Sequence, residues 1–196
     1  MDASQPLILV LAGSTRQASF NRQLANCAAQ QARQQQAQVE LIELADYPMP
    51  LYDGDLEARD GLPESVRALK ARFVACDGFF IASPEYNGFF PPLLKNTLDW
   101  VSRRESDDEA PLAAYNGKVA ALGGASPGGL GGMRALAHLR TMLSGIGVHV
   151  VPGQINVGEA NDAFDGNGRL QDEAREKALG ELMARLTRTA RLLTEK

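Results

Sequence analysis

A chain of 196 residues, 44% hydrophobic and 22% charged, is long enough for one substantial core and too apolar to read as disordered. Its net charge of −4, with acidic and basic residues mixed along the chain, argues against a nucleic-acid binder, which carries a basic stripe. No apolar run reaches the length of a membrane span, and the opening MDASQPLILVLAG lacks the basic region of a secretory leader, so the cytoplasm is the simplest location.

Residues 6–12 (PLILVLA) are apolar without alternation, which predicts a strand covered on both faces. Residues 20–36 follow as a helix, with Phe20, Leu24, Cys27 and Ala28 on one stripe and a Gln-rich solvent side. A short strand is expected at 38–44, an irregular turn-rich stretch at 45–61, and a helix at 62–75 with Val66, Leu69, Lys70 and Phe73 in register. The run 77–83 predicts a third strand. A helix at 91–103 opens on Pro91 and Pro92, which suit a first turn whose N–H groups lack partners. A strand at 117–125, a helix at 130–144, a broken strand or strand pair at 148–157, a flexible polar loop at 158–170 and a helix at 171–194 complete the chain. Strand and helix alternate throughout, so right-handed crossovers give a parallel sheet with helices on both faces, in one domain over 1–196.

In such a sheet, ligands bind beyond the carboxyl ends of the strands where the strand order reverses. Three loops at that edge are unusual. The first, Gly13 to Asn21, gathers Ser14, Thr15, Arg16 and Ser19 at a helix start, where hydroxyls, N–H groups and a guanidinium suit a phosphate monoester. A plain turn needs only Ser19 as a helix cap. The second, Ser83 to Pro92, sets Tyr86, Phe89 and Phe90 among the turn formers Pro84, Asn87 and Gly88, a poor surface unless a flat ligand or a partner subunit covers it. The third, 123–132, holds six glycines in ten residues, which lets backbone approach a ligand closely.

Other phosphate motifs are missing: the chain has no GxxxxGK[ST], and Arg134 stands where a GxGxxG would need its third glycine. No GxSxG nucleophile elbow or Ser/Cys–His pairing marks a hydrolase. Cys27, Cys76, His138 and His149 are too dispersed for a metal site, so none is expected. The first and second loops meet only if strands one and three are neighbours. The flavodoxin-like three-layer sandwich, a five-stranded parallel sheet of order 2-1-3-4-5 with FMN at that junction, makes them so.

The segments Gly-Ser-Thr-Arg-Gln-Ala-Ser-Phe-Asn-Arg (13–22), Pro-Glu-Tyr-Asn-Gly (84–88), Leu-Lys-Asn-Thr-Leu-Asp-Trp (94–100) and the glycine-rich 126–132 resemble the NADPH-dependent FMN reductase family, which includes bacterial quinone, azo-dye and chromate reductases. The resemblance implies that Ser14, Arg16, Ser19 and Asn21 hold the FMN phosphate. It implies that Pro84, Glu85, Tyr86 and Asn87 flank the isoalloxazine ring, mostly through main-chain atoms, and that Ser126 and Gly128 face its other edge or the ribityl chain. It further implies a homodimer or homotetramer whose contact would account for Phe89, Phe90 and Trp100, with Trp100 equally placed as ordinary core, and transfer of electrons from NADPH or NADH to a quinone, flavin, azo compound or oxidised metal by a ping-pong route. Tyr86 is then a candidate for shaping acceptor access, and Arg103, Arg104 and Arg134 for meeting a 2′-phosphate. A flavodoxin-type electron carrier and a flavin-free binding module on the same fold are the alternatives. Such carriers are usually more acidic than this chain and hold the flavin between dedicated aromatics.

Overall fold

The computed structural model describes residues 5–194. The central sheet begins with β1 (Leu7–Ala12), whose neighbours are β2 (Gln38–Ile42) on one side and β3 (Gly78–Ala82) on the other. β4 (Val119–Ala125) lies beyond β3, and the outer position is shared by β5 (His149–Val150) and β6 (Ile155–Val157). All pairings are parallel and the order is β2-β1-β3-β4-β5, with β6 also on β4. This is the order expected, with the last position split. Two residues of β4 (121–122) face four (151–154) between the paired positions Ala120–Val150 and Gly123–Ile155, so the edge strand must bulge out and restart.

Successive strand residues alternate between two cores. Ile8, Val10, Phe80 and Ala121 pack against α1 (Phe20–Gln34) and α7 (Glu173–Thr194). Leu9, Leu11, Phe79, Ile81 and Leu122 pack against α3 (Glu64–Ala75), α4 (Pro92–Val101) and α5 (Met133–Gly145). Burial on both faces is why these strands read as unbroken apolar runs. Lys70, on the apolar stripe of α3, is buried with its ammonium donating to the Arg103 carbonyl at 2.6 Å and the Glu109 carboxylate at 2.5 Å.

Two stretches differ from expectation. The irregular 45–61 contains α2 (Gly54–Asp60), capped by Asp53, whose carboxylate accepts from the Asp55 N–H at 2.9 Å. None of its residues is buried, so it has no apolar stripe to announce it. The polar loop 158–170 is folded: α6 (Ala160–Ala163) leads into a turn in which Phe164 bridges Leu170 and the Asp165 carboxylate accepts from the N–H groups of Asn167 and Arg169. Among the described residues, no helix is long and apolar enough to cross a membrane.

Candidate functional site

The register brings the unusual loops together. Ala12 pairs with Ala82, and Ala82 with Gly123, so β1 and β3 end level while β4 runs on to Ala125. The Gly13 N–H then donates to the Ala82 carbonyl, and the Ser83 N–H to the Gly123 carbonyl, both at 2.8 Å. A cleft of about 140 Å³ opens above them. Of the expected site residues, Ser14, Arg16, Ser19, Asn21, Pro84, Glu85, Tyr86 and Ser126 line it, while Asn87 and Gly128 stand outside the lining. Phe20, Ala125 and Pro127 also line it. Phe20 belonged to the apolar stripe in the sequence; its place at the very start of α1, inside the polar loop, was the available signal. A roomier cleft of about 180 Å³ lies between α1 and β2, but its charged groups, Arg22 and Glu43, pair with each other at 2.6 Å.

At the start of α1, Ser19 holds the cap position by its backbone, yet its buried hydroxyl makes no capping hydrogen bond. That hydroxyl and the first-turn N–H groups of Phe20 and Asn21 belong to a helix terminus that carries partial positive charge. Arg16 is exposed and makes no ion pair among the described residues; its guanidinium lies 5.8 Å from the Phe20 ring centroid. Phe20 is in turn stacked on Phe164, with centroids 6.3 Å apart. This donor set, unpaired cation included, fits the phosphate of FMN.

The side-chain amide of Asn21 is engaged within the chain. Its amide nitrogen donates to the Ala125 carbonyl and its amide oxygen accepts from the Ala125 N–H, each at 2.9 Å and buried. The side chain clamps the end of β4 to α1, while the Asn21 N–H stays in the first turn at the cleft.

On the second loop, Tyr86 and Phe89 exchange backbone hydrogen bonds at 2.9 and 3.0 Å around Asn87 (φ 53°) and Gly88 (φ 84°). Left-handed backbone at both central residues is the geometry of a type I′ turn, and explains the Asn-Gly pair. The turn leaves Tyr86 and Phe89 about half exposed. Phe90 and Trp100, by contrast, are buried within the chain, and the Trp100 indole donates to the Pro50 carbonyl at 2.8 Å. Of the three aromatics expected at a subunit contact, Phe89 alone is exposed, and one side of its ring packs on Phe90 and His138, with centroids 4.4 and 4.7 Å away.

The Glu85 side chain reaches α5. Its Oε2 accepts from the N–H groups of Arg134 (3.1 Å) and Ala135 (3.2 Å), and its Oε1 from Arg134 Nε at 2.6 Å. Burial opposes its ionisation, but the Arg134 guanidinium and the two helix N–H groups outweigh that and hold the carboxyl below its ordinary range. Arg103 is likewise paired, with Glu57 at 2.9 Å, and Arg104 Nε donates to the Glu109 carbonyl. Of the arginines considered at the sequence level, Arg16 alone faces the cleft without an anionic partner.

The glycine-rich loop is tight for reasons of packing. A Cβ on Gly131 (φ 57°) would sit 2.6 Å from the Val157 N, and one on Gly124 2.7 Å from the Gly131 carbonyl. Gly128 and Gly129 have open space around them. The Ser126 hydroxyl donates to the Gly128 carbonyl at 3.0 Å and so shapes the rim of the cleft.

With this geometry stands a match to a known family. The family profile described as NADPH-dependent FMN reductase covers residues 6–162, from β1 through α6.

The chain belongs to the NADPH-dependent FMN reductase family.

Its membership makes it an oxidoreductase with FMN as its flavin and NAD(P)H as electron donor. A relative in Pseudomonas aeruginosa, an NAD(P)H-dependent FMN reductase, is 37% identical over 180 residues, 90% of this chain and 91% of its own. An NAD(P)H:quinone oxidoreductase of Solanum tuberosum is 34% identical over 90% of both chains. Among solved structures, the flavoenzyme NAD(P)H:(acceptor) oxidoreductase of Paracoccus denitrificans superposes with a TM-score of 0.80 at 28% identity, covering 94% of this chain and 97% of that one. The flavodoxin-like fold expected from the loops is the fold of this family member.

Proposed function

We propose that residues 1–196 act as one flavin domain in which the α1 terminus holds the FMN phosphate and the loops after β3 and β4 flank the ring. The observation that carries this reading is the convergence of an unpaired Arg16, an uncapped Ser19 hydroxyl and open first-turn N–H groups at one end of a cleft whose other wall is Pro84–Tyr86. Ser14, Arg16 and Ser19 bind the phosphate, Arg16 supplying the charge. Asn21 and Glu85 fix the walls through Ala125 and α5. Pro84, Tyr86 and Ser126 border the ring, and the exposed Tyr86 shapes access to it. Bound FMN supplies the redox chemistry; the protein orients it and sets its surroundings.

Donor and acceptor use the same open side of the cleft in turn, which makes the kinetics ping-pong. The acceptor is a small oxidant of the quinone class, as in the potato relative, and the enzyme works in the cytoplasm as a homodimer or homotetramer in which Phe89 touches a second subunit.

Arg16→Ala tests the phosphate assignment. A charge-assisted contact contributes about 1.5–3 kcal/mol, so FMN affinity should fall about 10- to 150-fold with the thermal transition of the apoprotein unchanged. Riboflavin, which lacks the phosphate, should bind both proteins alike. Equal FMN retention by the variant and the parent through dialysis would show the assignment to be wrong. Anaerobic bleaching of the flavin spectrum by NADPH, and its return on adding a quinone, tests the reaction.

A further inference from the structure

Among the described residues, Glu85 is the only carboxylate lining the cleft, and its side chain is 8% exposed. A bare negative charge in that position would oppose flavin reduction, because two electrons and one proton delivered by NAD(P)H leave the ring with one more negative charge than before. Two features neutralise the carboxylate. The first turn of α5 turns its N–H groups toward Oε2, doing the work of a capping side chain that the α5 cap residue, Gly132, lacks. From the solvent side, Arg134 lies over Oε1, with its own side chain 63% exposed. The sequence separation of 49 residues means that only the fold creates this pair.

We propose that the Glu85–Arg134 pair tunes the reduction potential of the bound flavin, with Arg134 screening the cleft from the charge of Glu85. This rests on the functional reading above and extends it. Arg134 thereby acquires a role other than meeting a nicotinamide 2′-phosphate: it is a positioning and screening residue that acts through Glu85. The pair also ties the loop after β3 to the helix after the glycine-rich loop, so a merely structural role is the competing account.

The two accounts differ in sign. Glu85→Gln keeps an oxygen for the helix N–H groups but leaves Arg134 and the helix terminus as net positive neighbours, which favours the reduced flavin. Arg134→Ala leaves the carboxylate less screened, which favours the oxidised flavin. Midpoint potentials of the FMN-loaded proteins, measured by equilibration with redox dyes, should move in opposite directions. The expected size is about tenfold in the ratio of oxidised to reduced FMN affinity, or about 30 mV for a two-electron couple. Arg134→Lys should restore most of the parent value, and this pair of Arg134 variants carries the test if Glu85→Gln fails to fold. Shifts of the same sign, no shift at all, or an Arg134→Lys protein that matches Arg134→Ala would overturn the proposal while bound FMN keeps the functional reading intact. A parent protein that holds no FMN would bring down both.

Discussion

Replacing Asn21 with Ala removes both hydrogen bonds that join α1 to the end of β4, each 2.9 Å long and out of reach of solvent. The Ala125 N–H has Asn21 as its acceptor, and leaving a buried donor unpaired costs about 1–3 kcal/mol, while the lost bond to the Ala125 carbonyl adds about 1 kcal/mol. The sum, about 2–4 kcal/mol, lowers the melting temperature of a domain of this size by about 5–15 °C. The decisive measurement is made on the apoprotein, by circular dichroism or dye fluorescence, because a residue that served only as a phosphate ligand would leave that transition in place and weaken FMN binding alone. Asn21→Asp should melt at least as low as Asn21→Ala, since it sets a carboxylate oxygen against the Ala125 carbonyl. FMN affinity should fall as well in both variants, as a consequence of the loosened wall at Ser126. An apoprotein of Asn21→Ala that melts with the parent would refute the clamp and return Asn21 to the phosphate.

Two further outcomes follow from the same geometry. Gly131→Ala should destabilise the fold by about 3 kcal/mol or more in denaturant titration, because it puts Cβ against the Val157, Asn156 and Gly158 backbone at a positive φ; Gly128→Ala, with open space around it, should lie within about 0.5 kcal/mol of the parent. Equal effects of the two would mean that the loop does not pack as described. The Glu85 carboxyl titrates below its ordinary value of 4.5, so its ionised form adds stability that is present above that value and lost as pH falls through the lower native one. The stability gap between the parent and Glu85→Gln should therefore narrow below pH 4.5, and curves that stay parallel down the acid limb would contradict the helix-capping role.

Much of the fold was legible in the sequence because the signals are local. Unbroken apolar runs such as LILVLA mark strands buried on both faces, the Pro91-Pro92 pair marks a helix start, and the Asn87-Gly88 pair marks a turn with left-handed backbone. The position of the cleft followed from the same information, since strand order and parallel direction place the three loops at one edge. What stayed hidden was the partner of each polar side chain. The amide of Asn21 meets Ala125, 104 residues away, and the Arg134 guanidinium meets Glu85, and neither pairing can be read from its own segment. The glycines of 123–132 likewise looked like room for a ligand, whereas several of them make room for the chain itself. Hydrophobic patterning records which way a residue faces along its own segment. A hydrogen bond or a close backbone approach depends on which other segment arrives there, and only the packed sheet decides that.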